Sequence, residues 1–176
     1  IPTRVVNIGY FAFDVCMNLK SVYITDLAAW CEIRFFDNTS NPLYNGADLY
    51  INGEKATNIE IPDGVASIGD SAFSHCSSLT SVTIPSSVTS IGYKAFEDCR
   101  SLTSVTILEG VTSIGNFAFN GCSSLTSITV DVNNAKYSND ERGVLLNKDK
   151  TTLIQYPIGN TATSYEIPSS VTSIGF

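Results

Sequence analysis

Charge is scarce in this 176-residue chain: only 15% of residues are Asp, Glu, Lys or Arg, and just ten of them are basic against 17 acidic. The net charge of −7 excludes a nucleic-acid-binding surface, which needs clustered cations to displace counterions from phosphate. It equally excludes a polybasic contact with a membrane. Histidine is almost missing. With His75 alone, multi-histidine metal sites and most histidine-based catalysis are ruled out. No apolar run approaches the ~20 residues needed to span a bilayer, so membrane insertion is not expected. The opening Ile1-Pro2 has no basic n-region or apolar h-region, so no signal peptide is visible; this is uninformative for a fragment cut from a longer array. Also missing are G-x-S-x-G, a Walker loop, H-E-x-x-H and a dinucleotide fingerprint, so neither an enzyme nor a cofactor is expected.

What the chain has in abundance is hydroxyl and repetition. Serine and threonine total 39 residues, so the surface is hydroxyl rather than ionic. Residues 61–83 read IPDGVASIGDSAFSHCSSLTSVT, 84–106 read IPSSVTSIGYKAFEDCRSLTSVT, and 107–129 read ILEGVTSIGNFAFNGCSSLTSIT, a period of 23. Residues 1–23 share the register, and a fifth copy starts at Ile167 and stops at Phe176. A constant period of this size is the signature of a solenoid, in which one unit cannot bury its own apolar face and stacked units share a core.

Each column of the repeat carries an expectation. Leu79, Val82 and Ile84, with Leu102, Val105 and Ile107 one coil later, should point inward, as should Val88 and Ile91 on a second face. The glycines at 9, 69, 92, 115 and 175 mark either a positive φ or a place with no room for a Cβ. Phe13, Phe73, Phe96 and Phe119 should stack as an aromatic ladder, and the alanine before each suggests a short helical turn. Pro2, Pro62, Pro85 and Pro168 should end the first strand, since proline cannot donate to the ladder.

Copies one and four are each followed by 37 extra residues. In the first insertion, residues 25–60, Thr25 or Asp26 can cap a short helix bearing Leu27, Trp30 and Ile33. Further on, Asn52-Gly53 between apolar residues signals a type I′ hairpin. The second, residues 130–166, contains GVLLNKDKTTLIQYP, again a hairpin turning at Asn147 to Lys150. Both should add strand pairs and re-enter the register at the next Ile-Pro. The whole of 1–176 thus reads as one domain: a right-handed, β-rich solenoid with short helical turns.

The pattern IPxxVTSIGxxAFxxCxxLTSVT, over the whole chain, resembles the BspA-like branch of leucine-rich-repeat proteins. The insertion segments AAWCEIRF, LYING and GVLLNKDKTTLIQYP also look like segments of that family. The chain departs from the commoner leucine-rich repeat in the slot that usually holds an asparagine ladder, here Arg4, Gly64, Ser87, Gly110 and Ser170. The resemblance implies a secreted or cell-surface bacterial (or parasitic protist) protein that adheres to host extracellular-matrix proteins. Relatives are associated with fibronectin or fibrinogen binding and with stimulation of innate immune receptors.

Cysteine and histidine invite chemistry that their spacing does not support. Cys16, Cys76, Cys99 and Cys122 share one column and Cys31 stands apart. There is no C-x-x-C for a metal. Stacked side chains run parallel rather than facing each other, so free, buried thiols are expected rather than disulfides. With Cys76 inward, His75 should face solvent as a plain surface histidine. Asp131, Asn133 and Asn134 lack the glycine and closing glutamate of a calcium loop and read as a polar turn.

The outward strand positions Ser81, Thr83, Ser104, Thr106, Ser127 and Thr129, with Ser21 and Tyr23 in the first copy, form two hydroxyl ladders on one exposed face. They serve either as an ordinary solvated face or as an extended protein-docking surface, with Tyr23 its best anchor. Phe11, Phe117, Tyr10 and Tyr93 flank the Ala-Phe turns and either add an apolar strip or only pad the turns. A non-enzymatic adhesion or protein-binding module is therefore the leading reading. The alternatives are a passive structural stalk, and a glycan-binding module in which Trp30, Tyr44 and Tyr50 stack on sugar. Open apolar edges on the terminal coils should favour weak end-to-end self-association.

Overall fold

The structure, a computed structural model, describes residues 1–175; the end of the fifth copy, Phe176, lies outside the described residues. Strands follow one another in short pieces. In the first half they are β1 (Asn7–Ile8), β2 (Ser21–Ile24), β3 (Arg34–Phe35), β4 (Asp48–Ile51), β5 (Glu54–Lys55), β6 (Asn58–Glu60), β7 (Ser67–Ile68) and β8 (Ser81–Ile84). In the second they are β9 (Ser90–Ile91), β10 (Ser104–Ile107), β11 (Ser113–Ile114), β12 (Ser127–Val130), β13 (Tyr137–Asn139), β14 (Leu145–Asn147), β15 (Thr152–Gln155) and β16 (Ser173–Ile174). The helical elements among the described residues are α1 (Leu27–Cys31) and a 3-10 turn at Asn38–Ser40.

Two parallel ladders run the length of the repeats. On the wider one, β6, β8, β10 and β12 pair with Ser81 opposite Ser104 and Ser104 opposite Ser127, one period per step. On the narrower one, β7, β9 and β11 pair Ser67 with Ser90 and Ser90 with Ser113. Because the register equals the period, identical side chains lie directly above one another. Leu79, Ile84, Val88, Leu102, Ile107, Val111 and Leu125 are fully buried between the ladders. The expected aromatic stack is present: Phe73 and Phe96 lie 5.3 Å apart at 5°, and Phe96 and Phe119 5.6 Å apart at 9°. Phe13 and Cys16, in the first coil with a neighbour on one side only, are half-buried.

The Ala-Phe segments are not the helical turns the sequence suggests. They are chains of tight turns with two left-handed residues per coil, Ser71 and His75, then Lys94 and Asp98, at φ between 55° and 63°. Each left-handed residue turns its N–H to the next coil: Ser71 to Tyr93 O at 2.9 Å, His75 to Glu97 O at 2.7 Å, Lys94 to Asn116 O at 3.1 Å and Asp98 to Asn120 O at 2.8 Å. The inter-coil bonds offset a conformational cost of ~1–2 kcal/mol per residue. The repeat glycine two residues earlier (Gly69, Gly92, Gly115) lies outside the positive-φ region, while Gly175 in the last copy has φ 67°. A Cβ on Gly92 would sit 2.6 Å from Asp70 N, so close approach between coils is what requires glycine there.

The first insertion contains one further coil and a hairpin. From Ser21 the chain travels 27 residues round the core, through α1, to pair at Asp48 in parallel with β2. Asp26 caps α1 by accepting from Ala29 N at 3.0 Å. Asn52 (φ 53°) and Gly53 (φ 88°) then form the left-handed pair of a two-residue hairpin joining β4 to antiparallel β5. Ten residues after Asp48, Asn58 opens β6, which pairs forward with β8. Strand positions are thus added on the wide ladder without another passage round the core. The second insertion makes an antiparallel meander of β13, β14 and β15, and β15 accepts β16 of the next repeat in parallel.

Truncating the aromatic stack at its centre should be costly. Phe96→Ala is expected to destabilise the fold by about 3–5 kcal/mol, read from urea unfolding, because both ring neighbours lose their packing partner at once.

Candidate protein-binding face

The outward residues are carried by two sheets, Ser21 and Tyr23 on β2–β4–β5 and the others on β6–β8–β10–β12. Ser81, Thr83, Ser104, Thr106, Ser21 and Ser127 are half-buried rather than exposed, while Thr129 and Tyr23 are exposed. Identical neighbours on adjacent strands, ~4.8 Å away, shade one another. Ser127 is further covered by the turn at Gly143, whose ideal Cβ would come within 2.5 Å of Ser127 Cβ. Ser81 Oγ also donates to Asn58 Oδ1 at 2.7 Å, so part of the row is already committed inside the molecule. The face is uncharged across β8, β10 and β12, while β6 sets the exposed Glu60 beside Thr83.

The β2–β4–β5 sheet is aromatic. β2 and β4 place Tyr23 directly opposite Tyr50, and their rings stack 4.9 Å apart at 26°. Tyr23 keeps 57% of its surface exposed, against a neighbour held in place by the hairpin. Across that hairpin, Lys55 pairs with Asp48 at 2.8 Å. A rigid exposed ring backed by a second ring, beside a charge pair, has the make-up of an interface anchor.

The other aromatic candidates fall elsewhere. Trp30 is 1% exposed and donates its Nε1 to Ala72 O at 2.9 Å, so it joins coils and cannot stack on a sugar. Tyr44 packs against the His75 ring at 4.9 Å, and Tyr50 serves the wide face. Tyr10, Phe11, Tyr93 and Phe117 are all exposed along the turn edge, and Phe36 joins them.

Sequence reasoning missed the residues that clamp coil to coil. Thr103 Oγ1 donates to Thr80 O at 3.0 Å and Thr126 Oγ1 to Thr103 O at 3.0 Å, each doubling the backbone bond to the same carbonyl. Thr89 and Thr112 repeat this on the other ladder, to Ala66 O and Thr89 O, both at 3.1 Å. These ladders take the place of the absent asparagine row. The signal is the threonine of LTSV and VTSI, whose slots hold Lys20 and Ala66 in two other copies. Two buried asparagines do the same work in the insertions. Asn41 Nδ2 donates to Ser71 O at 2.7 Å, and Asn134 Nδ2 to Leu108 O and Val111 O, both at 3.0 Å. Asn134 thereby builds a structural turn, and no group of metal-ligating side chains occurs among the described residues.

The five cysteines are free, and all but Cys16 are buried. They are more than small hydrophobes: Cys99 Sγ donates to Phe73 O at 3.1 Å and Cys122 Sγ to Phe96 O at 3.1 Å. Burial pushes the thiols of Cys31 and Cys122 up to about 12 and that of Cys76 to about 11, far from thiolate reactivity.

His75 is not the plain surface residue expected. Its side chain is 22% exposed, its Nδ1 lies 2.9 Å from Ser74 Oγ, and its Nε2 lies 3.6 Å from Asp98. The serine is 1% exposed, so this row of Ser, His and Asp holds no accessible nucleophile. Burial pulls the His75 pKa down, against the opposing pull of Asp98 and Glu97.

With the geometry in place, the molecule is defined as a solenoid repeat protein whose coils are joined by backbone ladders and side-chain clamps. A family profile described as BspA type leucine rich repeat region matches residues 1–44 and 46–141 in six copies, and the chain belongs to that family. Among solved structures it is similar to a leucine rich cell surface protein from Faecalibacterium prausnitzii (29% identity, TM-score 0.64, covering 99% of this chain and 55% of that one). The pneumococcal vaccine antigen PcpA (21%, 0.57, covering 99% and 50%) shares the fold. So does the T. pallidum leucine rich repeat protein (22%, 0.50, covering 99% and 67%). The chain spans about half the length of the first two of these. No curated protein matches. No helix among the described residues is long and apolar enough to cross a membrane.

Two outcomes follow. Native protein treated with a thiol reagent should be modified at Cys16, while Cys31, Cys76, Cys99 and Cys122 react only after denaturation, without reductant; mass spectrometry reads the difference. Because His75 prefers to be neutral in the fold, the unfolded chain takes up the proton first. Its contribution to stability is present above the ordinary value of 6.5 and is lost as pH falls below it. Urea midpoints measured between about pH 7.5 and pH 5.5 should fall with acid, and His75→Gln should flatten that slope.

Proposed function

We propose that this chain is a non-enzymatic binding module of a secreted or cell-surface protein, docking an extracellular protein partner on the wide strand face. Ser21, Tyr23, Ser81, Thr83, Ser104, Thr106, Ser127 and Thr129 make up the surface, with Tyr50 behind Tyr23. The observation that carries the reading is the stacked Tyr23–Tyr50 pair on β2 and β4, together with the hydroxyl rows that β8, β10 and β12 present. Membership of the family and the likeness to a cell surface protein from F. prausnitzii support the location. The resemblance suggests host matrix proteins, such as fibronectin or fibrinogen, as partners.

The chemistry of the face sets the character of the binding. It has no basic stripe for steering and no enclosed pocket for a small substrate. A single fragment should therefore bind weakly, at about micromolar strength or weaker, and gain by repetition along an array.

Surface plasmon resonance against a panel of matrix proteins tests this. Tyr23→Ala with Tyr50→Ala should weaken binding at least about tenfold while leaving the unfolding midpoint of the core unchanged. Raising salt from about 50 to 300 mM should alter affinity by less than about threefold. A tandem array that binds no protein at any density would favour the passive stalk, whose surface tyrosines are dispensable.

A further inference from the structure

Glu97 is the one buried carboxylate among the described residues, with 6% of its surface exposed. Burying a charge is costly unless its oxygens find partners, and both do. Oε1 accepts from Lys94 Nζ at 2.9 Å, and Oε2 accepts from Asn38 Nδ2 at 3.3 Å. The oxygen of the same amide is held as well, since Ser71 Oγ donates to Asn38 Oδ1 at 3.3 Å. Asn38 comes from the inserted coil, Ser71 from the repeat after it, and Lys94 with Glu97 from the next.

This cluster is not a feature of the repeat. In the columns of Lys94 and Glu97 the other copies hold Phe11 and Asp14, Ser71 and Ser74, and Phe117 and Asn120. Lysine and glutamate occupy these columns together only in the coil whose carboxylate Asn38 bonds. Lys94 follows Ser71 in its column, and the two coils are joined there, Ser71 N donating to Tyr93 O at 2.9 Å. That places the Lys94 side chain in the row directly after the hydroxyl that holds the Asn38 carbonyl. The 3-10 turn fixes Asn38 in turn: Ser40 N donates to Asp37 at 2.7 Å, and Asp37 N donates to Ser40 Oγ at 2.9 Å.

We infer that Lys94 and Asn38 are a site of spontaneous covalent modification, an isopeptide bond between Lys94 Nζ and Asn38 Cγ with Glu97 moving the protons. An amine, the amide it attacks, one carboxylate touching both nitrogens and a donor on the amide oxygen are the parts a transamidation needs. The hydrogen bond to Glu97 raises the Lys94 pKa above its ordinary 10.5, so the amine begins as an ammonium whose proton already points at its acceptor. Glu97 takes that proton and Nζ attacks Cγ, while the carbonyl electron pair moves onto Oδ1 against the Ser71 hydroxyl. Glu97 then gives its proton to Nδ2 and takes a second from the attacking nitrogen as the Cγ–Nδ2 bond breaks. The departing group carries that second proton away as ammonium, and Glu97 is a carboxylate again. Nothing is oxidised or reduced, and no co-reactant is consumed. The bond staples the inserted coil to the second repeat beyond it and is independent of the Tyr23–Tyr50 face.

Mass spectrometry tests this on folded protein aged for days, then denatured and digested with trypsin. The expected species is lighter by one ammonia. Trypsin does not cut after an acylated lysine, so residues 35–55 should be found joined to residues 56–100, in place of separate peptides 35–55, 56–94 and 95–100. Lys94→Arg should keep the full mass, and Glu97→Gln should slow bond formation at least about a hundredfold. Ser71→Ala leaves both nitrogens on Glu97 and should slow it at least about tenfold. Lys94→Arg retains a cation beside Glu97, so its fold is kept even where a buried glutamine is not tolerated. An ammonia lost without joined peptides is a succinimide within one peptide and overturns the proposal. So does aged wild-type protein whose peptides all remain separate, a link from Lys94 to any residue but Asn38, or a link that forms as fast without the Glu97 carboxylate.

Discussion

The constraint on which everything else depends is that each coil is an edge. A coil presents rows of N–H and C=O groups above and below, and none can be left unpaired in a dry stack. Register equal to the repeat period is the solution, since it lets one coil's donors meet the next coil's acceptors without slippage. Identity of side chains then follows as a by-product, because whatever fits between two coils fits between the next two. The Phe73–Phe96–Phe119 stack, the threonine clamps and the inward thiols are all expressions of one translation.

Side chains that bond backbone across coils carry an unusual share of this pairing. Threonine doubles bonds already made by the main chain, at the solvent border, where a hydroxyl costs little to place. Cysteine does the equivalent work inside, where a serine would bury a stronger polar group and a larger residue would not fit. Asn41 and Asn134 appear where an insertion breaks the translation and two carbonyls need a donor at once. His75 stands at such a joint too, between the inserted coil's Tyr44 and the next repeat's Asp98.

Much of the architecture was legible because the repeat averages over local ambiguity. The inward columns, the ring ladder, the Asp26 cap and the Asn52-Gly53 turn each follow from residue type and spacing. What was hidden depends on backbone direction instead. Left-handed residues at Ser71, His75, Lys94 and Asp98 gave no glycine signal, because a bond to the next coil stabilises a conformation that composition does not advertise. The glycine column, conversely, invited a reading in terms of φ, yet at Gly92 the reason is space. The candidate faces were only partly visible. Tyr23 stood out in its row, but its partner Tyr50 becomes a neighbour only once the inserted coil is counted at 27 residues rather than 23.

The hairpin at Asn52-Gly53 has a geometric effect on any longer array. It adds strands to one side of the stack while the opposite side gains no turn of chain, so it acts as a wedge driven between two coils. A wedge tilts the axis of everything beyond it away from the thickened side. The position and number of such hairpins along a run of otherwise uniform repeats would then set its trajectory, bending a straight rod into an arc and deciding which way distant faces look.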